Sequence, residues 1–242
     1  LKQPRSSNSL DVFPATWLFE RRFYEEKPCP ATCQAIFVYT AFSRITADRQ
    51  AYTSAKEVLE MCYWLNPAET PFESIRGAIA DGVFGKVVKM CSASLDNKKI
   101  EAVHNTVMLA AGDSPELDIC NTTVEQMKRV GQIGDKTSRF LLMYTSQSHE
   151  HVLFDSCIYR YHGLYCSGTM PKRTELVDDR YAELEQTFLG QVVDVIGIGA
   201  RATHVLLWDL SHGYGGRMAS PERLAAAVND GTIVPTLDWS MV

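Results

Sequence analysis

The sequence predicts an all-α protein of about ten to twelve helices, and three observations carry that prediction. Apolar residues return at three- and four-residue spacing along nearly the whole chain, the mark of helical faces that pack inward. No alternating run long enough for a strand stands out, since the longest candidate, "QVVDVIGI", sits better as a helix ending at Gly197. Helix-starting and helix-stopping residues bracket the periodic segments. With 242 residues, 45% of them hydrophobic, the chain can bury a substantial core.

The elements follow in chain order. Residues 1–13 read as a flexible N-terminal arm and 14–242 as the helical body. "ATWLFERRFYEEK" opens the pattern, and "CPATCQAIFVYTAFSRI" follows with a proline at a first-turn position. "DRQAYTSAKEVLEMCYWL" repeats the pattern and is stopped by "NPAETP". "PFESIRGAIADG" closes on Gly82, "GKVVKMCSA" is a short helix, and "DNKKIEAVHNTVMLAAG" runs from an Asp cap candidate to Gly112. "NTTVEQMKRV" starts at Asn121 with Glu125 near its first turn and leads into "VGQIGDKTSRFLLMY". Beyond it lie "DSCIYRYHGLY", the long amphipathic "VDDRYAELEQTFLGQVVDVIG", "ARATHVLLWDLSHG", and "SPERLAAAVNDG" with its serine cap, first-turn proline and closing Gly231.

Composition excludes several classes. No apolar run approaches the ~18 residues of a membrane helix, and "LKQPRSSNSLDVF" has no apolar stretch behind its basic residues, so it does not read as a secretory signal. A cytoplasmic setting is expected. The seven cysteines are odd in number and scattered, which suggests reduced, packed thiols. Cys29 and Cys33 have helical spacing, but no second pair or nearby histidine supports a metal site, and neither metal nor cofactor is expected. A net charge of −5 argues against a globally basic nucleic-acid surface and leaves room for a local basic stripe.

The most informative stretch is "RVGQIGDKTSRF". A helix comes in, Gly131 and Gly134 bracket a turn, and a second helix leaves with Lys136 in its first turn. Such a turn directs backbone N–H groups outward at a helix N-terminus, which suits a phosphate diester. The helix dipole disfavours an ammonium there, and a lysine that loses its proton more readily is a usable amine nucleophile. Asp155, in "FDSCIYRY", lies nineteen residues after Lys136 and opens the next helix.

This pattern resembles the helix-hairpin-helix DNA glycosylase superfamily that includes endonuclease III, in which a Gly-hydrophobic-Gly-x-Lys turn is followed by an aspartate opening the next helix. Lys136 and Asp155 fall at the family's spacing, and Arg160 follows Asp155 by five residues, as in the family's Asp-x-His-x-x-Arg pattern. "DNKKIEAVHNTVMLA" looks like the Asn-Lys-x-x-x-Ile helix that presents a probing loop to the duplex, and "RYAELEQTFLGQVVDVIG" followed by "ATHVLLWDL" resembles the C-terminal helices of the small archaeal-type 8-oxoguanine DNA glycosylases. Five features depart from the pattern: Gln132 stands at the first hairpin glycine, Cys157 replaces the common histidine, the loop "SQSHEH" has no Gly-Pro character, the four-cysteine iron–sulfur signature is absent, and "SMV" lacks the lysine that some small 8-oxoguanine enzymes carry there.

The resemblance implies a two-lobed helical fold without an extra β domain, its hairpin at 121–145. It implies a bifunctional glycosylase and abasic-site lyase of base excision repair, acting on 8-oxoguanine in double-stranded DNA. In that reading Lys136 and Asp155 are catalytic, and Gly131, Gly134, Lys98, Arg129 and Arg139 contact the DNA. Trp208 and Phe140 are the aromatic candidates for holding the flipped base. Residue by residue, plainer roles compete: Lys98 and Lys99 read as solvated, Trp208 as core, and Arg160 as an ion-pair partner. A monomer, located with the nucleoid, is expected. The competing class is a protein of the same scaffold acting on a modified base of foreign DNA, or binding DNA or a nucleotide without turnover.

Overall fold

The computed structural model describes residues 13, 14, 17, 29–43, 48–91, 97–112, 115–145, 151–167, 178–213 and 218–233. Among them every regular element is helical and no strand occurs. The expected arm over 1–13, apart from Phe13, and all of "ATWLFERRFYEEK" except Trp17 lie outside the described residues. The chain divides into two compact units: Leu1–Phe19 with Pro28–Thr122 and Arg129–Gln132, and Glu20–Lys27 with Thr123–Lys128 and Ile133–Val242.

The first unit holds α1 (Pro30–Phe42), α2 (Asp48–Leu65), α3 (Pro71–Ala80), α4 (Phe84–Cys91) and α5 (Asn97–Ala110). In α1, Pro30 opens the helix, and almost every later residue to Phe42 is buried. A helix apolar all round belongs in the centre of its unit, and α2, α3 and α5 pack about it. Phe37 meets Phe72 of α3 edge to face at 5.8 Å. The start of α3 is a capping box: the Thr70 hydroxyl accepts from the Glu73 amide, and the Glu73 carboxylate accepts from the Thr70 amide. Lys99 corrects the expectation of a solvated side chain. It is 1% exposed, and its Nζ donates to the Phe42 carbonyl at 2.7 Å. A cation there satisfies an orphan carbonyl at the negative end of α1.

The second unit holds α6 (Val124–Lys128), α7 (Asp135–Thr145), α8 (Ser156–Tyr165), α9 (Asp178–Phe188), α10 (Asp194–Ile196), α11 (Ala200–Gly213) and α12 (Pro221–Asn229). The cap of α6 is Thr123, not Asn121: the Thr123 hydroxyl accepts from the Gln126 amide at 3.2 Å, and Gln126 Oε1 accepts from the Thr123 amide at 3.0 Å. Asn121 instead bonds the Asp118 carboxylate. A π-helical turn, Leu189–Val193, joins α9 to α10, and the run ends at Gly197 with φ 79°, a left-handed stop that glycine adopts without strain. The core is built on Tyr161, Phe154, Tyr181, Phe188, Val192 and Leu207.

Candidate functional site

Lys136 is the second residue of α7 and is exposed. Asp155 is the N-cap of α8, on extended backbone, and its Oδ1 accepts from the Cys157 and Ile158 amides at 2.8 Å each. These are orphan donors of the helix start, so the carboxylate also meets the positive end of α8. Its other oxygen, Oδ2, lies 3.0 Å from His204 Nε2 of α11. The Asp155 side chain is 17% exposed and that of His204 5%. Burial alone would push the Asp155 carboxyl up; the His204 ring, the Ile158 amide and the Lys136 charge outweigh it and hold it below the usual carboxylate value.

A second set of polar groups fixes the backbone on either side of this pair. Arg139, buried in α7, donates from Nη1 to Asp135 Oδ1 at 2.7 Å and from Nε to Glu185 Oε2 at 2.9 Å, while its guanidinium lies 4.2 Å over the Tyr181 ring. Asp135 also meets Lys128 Nζ at 3.0 Å. Glu185 Oε1 accepts from the Val152 amide at 2.7 Å; the Tyr181 hydroxyl accepts from the Phe154 amide and donates to the Val152 carbonyl, both at 3.0 Å. Residues 151–155 form no regular element, so these side chains take the place of ladder partners for buried amides. The neighbour of Lys136 and the residues leading to Asp155 therefore share one chain of charges. Two further bonds hold the helix that carries His204: the Arg201 Nε donates to the Met143 carbonyl, and the Cys157 thiol donates to the Leu207 carbonyl at 3.1 Å. Burial pushes the Cys157 thiol up to about 11, so it stays protonated and packed.

The other residues singled out by sequence sort as follows. Arg139, expected at a DNA backbone, is 5% exposed, and its Nε and Nη1 donate to internal carboxylates of the same unit. Phe140 is a core residue, its ring tilted against Tyr144 at 5.1 Å, which leaves Trp208 as the aromatic candidate. Trp208 is partly buried against the core of the second unit, one helical turn beyond His204. Gly134 is exposed; its carbonyl accepts from the Ser138 amide at 3.0 Å, and a Cβ added to it would meet nothing within 4 Å. Lys98, Arg129 and Gly131 belong to the first unit, with Lys98 and Arg129 exposed and Gly131 at φ 81°. Gln132 takes φ 58°, the conformation glycine favours, at the position where the resemblance has a glycine.

Sequence reasoning missed His204, Glu185 and Tyr181. The signal was present for two of them. In "DDRYAELEQTF", Tyr181, Leu184, Glu185 and Phe188 share one face, which places an acid at an inward position; in "ATHVLLW" a histidine sits among inward apolar residues. Among the described residues no group of three or more His, Cys, Asp or Glu side chains is placed to hold a metal ion. None of their helices is long and apolar enough to cross a membrane. No family model matches the chain, and no curated protein or solved structure matches it either.

Proposed function

We propose that this chain is a helix-hairpin-helix DNA glycosylase with abasic-site lyase activity, excising an oxidised purine, 8-oxoguanine, from duplex DNA. The observation that carries the reading is an ionised Asp155 at the start of α8, held by three donors and sensing the charge of Lys136 at the start of α7. The start of α7, which bears Lys136, suits a phosphodiester substrate because a helix N-terminus favours an anion, while the start of α8 holds the Asp155 carboxylate in place.

The chemistry follows from the two groups. The target nucleotide leaves the stack, at a cost of a few kcal/mol that damage reduces. Asp155 takes a proton from the Lys136 ammonium, and the freed lone pair forms a bond to C1′ while the glycosidic electrons leave with the base, which takes up a proton. Opening of the sugar at O4′ gives the imine. Loss of a 2′ proton then expels the 3′ phosphate and nicks the strand. Trp208 is the candidate to lie against the flipped base. The partner is double-stranded DNA, and the site of action is the nucleoid, with the chain acting as a monomer.

Borohydride trapping on a duplex carrying 8-oxoguanine, beside one carrying an abasic site, tests this. A covalent adduct with the wild-type chain that is lost in Lys136→Gln is the expected result. Trapping on the abasic duplex alone would keep the lysine chemistry and remove 8-oxoguanine as the base. No adduct on either would overturn the reading in favour of binding without turnover.

A further inference from the structure

We propose that His204 is a positioning residue of this site, fixing Asp155 Oδ2 so that the carboxylate presents a single open acceptor position; this rests on the glycosylase reading above. An ionised carboxylate offers about four acceptor positions. The Cys157 and Ile158 amides occupy Oδ1 and His204 Nε2 occupies one position on Oδ2, which leaves one. A group that must accept a proton from an amine needs one such position, and gains nothing from being free to turn.

The burial of His204 points the same way. Its side chain is 5% exposed, and α11, which carries it, is fastened on both flanks of the ring. Arg201 bonds the Met143 carbonyl of α7, and Leu207 accepts from the Cys157 thiol of α8. The imidazole is therefore held by backbone attachments to the two helices that present Lys136 and Asp155. Its Nδ1 is buried and has no hydrogen-bond partner. A ring placed only for packing would not leave a polar atom orphaned while directing its other nitrogen at a functional carboxylate. The arrangement is that of an oriented histidine whose useful contact is the one to Asp155.

Loss of the ring removes one of three donors from a largely buried carboxylate. Asp155 then holds a proton more readily, and a protonated carboxyl cannot take another from Lys136. The capping bonds of Oδ1 to α8 survive, so the fold and the DNA-binding surfaces are preserved.

The test compares His204→Phe and His204→Gln with the wild-type chain, measuring the single-turnover trapping rate and the affinity for an abasic-analogue duplex, with carbon-detected NMR titration of the Asp155 carboxyl. His204→Phe should trap about 10²-fold more slowly, the size expected when a reacting group is misplaced, at an affinity within about twofold of wild type. His204→Gln, which keeps a donor for Oδ2, should recover most of the rate, and the Asp155 carboxyl should titrate higher in His204→Phe than in either. Wild-type trapping with unchanged rates in His204→Phe would overturn the inference and leave the glycosylase reading intact. Equal losses of rate and affinity in His204→Phe, unrelieved in His204→Gln, would mark a structural role and also overturn it. Absence of trapping by the wild-type chain refutes the glycosylase reading itself, and the positioning role with it.

Discussion

Replacing Arg139 by methionine separates the interior role of this residue from the DNA contact its sequence neighbourhood suggests. The guanidinium is buried between Asp135 and Glu185, whose side chains are 8% and 6% exposed, and it covers the Tyr181 ring. Burial would lower the affinity of Arg139 for its proton, but the bonds and charges of Glu185 and Asp135 raise it above the ordinary value, so the pair is ionic in the fold. Methionine fills much of the stem volume and leaves the buried Glu185 without its arginine, while Asp135 keeps Lys128. Breaking a buried pair from one side costs about 3–5 kcal/mol, a large share of the roughly 5–15 kcal/mol that folds a typical domain. Urea denaturation followed by circular dichroism measures it, with an unchanged slope against denaturant as the check on two-state behaviour. Adding Glu185→Gln, which keeps an acceptor for the Val152 amide and removes one stranded charge, should restore about 1–2 kcal/mol of that loss. A stability change of Arg139→Met below about 1 kcal/mol, or an unchanged stability with weakened DNA binding, would refute the interior assignment.

Three further outcomes are expected. Gln132→Gly should stabilise the chain by about 0.5–1 kcal/mol, because a left-handed backbone costs a side chain roughly 1–2 kcal/mol and glycine returns about half of that in entropy; thermal denaturation should show a rise of about 2 °C, and a fall would contradict the strain at φ 58°. Lys99→Met should destabilise by about 1.5–3 kcal/mol through the lost charged bond to the Phe42 carbonyl, whereas Lys98→Met, at an exposed position, should leave the denaturation midpoint in place. Burial, helped by the Arg180 charge, holds His162 below its ordinary value of 6.5, so the ring is neutral in the fold while the unfolded chain takes up a proton. Stability should then be full above pH 6.5 and decline as the pH falls below it towards the folded value, and His162→Phe should flatten that slope in a pH series of denaturation curves.

The helical segments were legible because their boundaries are written in local chemistry. Pro30, Pro71 and Pro221 open helices as first-turn prolines should, and Gly82, Gly112, Gly197 and Gly231 all take positive φ. Asp155 was legible for the same reason, since a cap is a local event. What escaped was whatever depends on contacts far apart in sequence. Arg139 looked like a surface cation because a pairing with Asp135 one turn earlier suits an exposed helix face too, while Glu185, which draws the guanidinium inward, lies 46 residues on. Lys99 bonds a carbonyl 57 residues before it, and His204 meets Asp155 across 49 residues. Periodicity marks such residues as polar groups on an inward face, but it does not name the partner. Thr123 was missed for a different reason: three capping-type residues, Asn121, Thr122 and Thr123, stand in a row, and the reciprocal partner Gln126, not Glu125, decides among them.

The π-helical turn in the middle of the long α9–α10 run amounts to one residue more than a regular helix would hold. Upstream, Tyr181, Leu184, Glu185 and Phe188 are inward; downstream, Val192, Val193 and Ile196 are inward while Val195 is 39% exposed. Each residue turns a helix by about 100°, so in a regular helix one extra residue would rotate the downstream half by that angle; the wider turn takes up the extra residue and leaves both halves with an inward apolar face. A regular α-helix of the same sequence would instead bring Val195 toward the inward face and carry Ile196 off it. The single insertion thus lets one rod serve two surfaces at once, with an acid at one end gripping the arginine chain and a purely aliphatic stripe at the other.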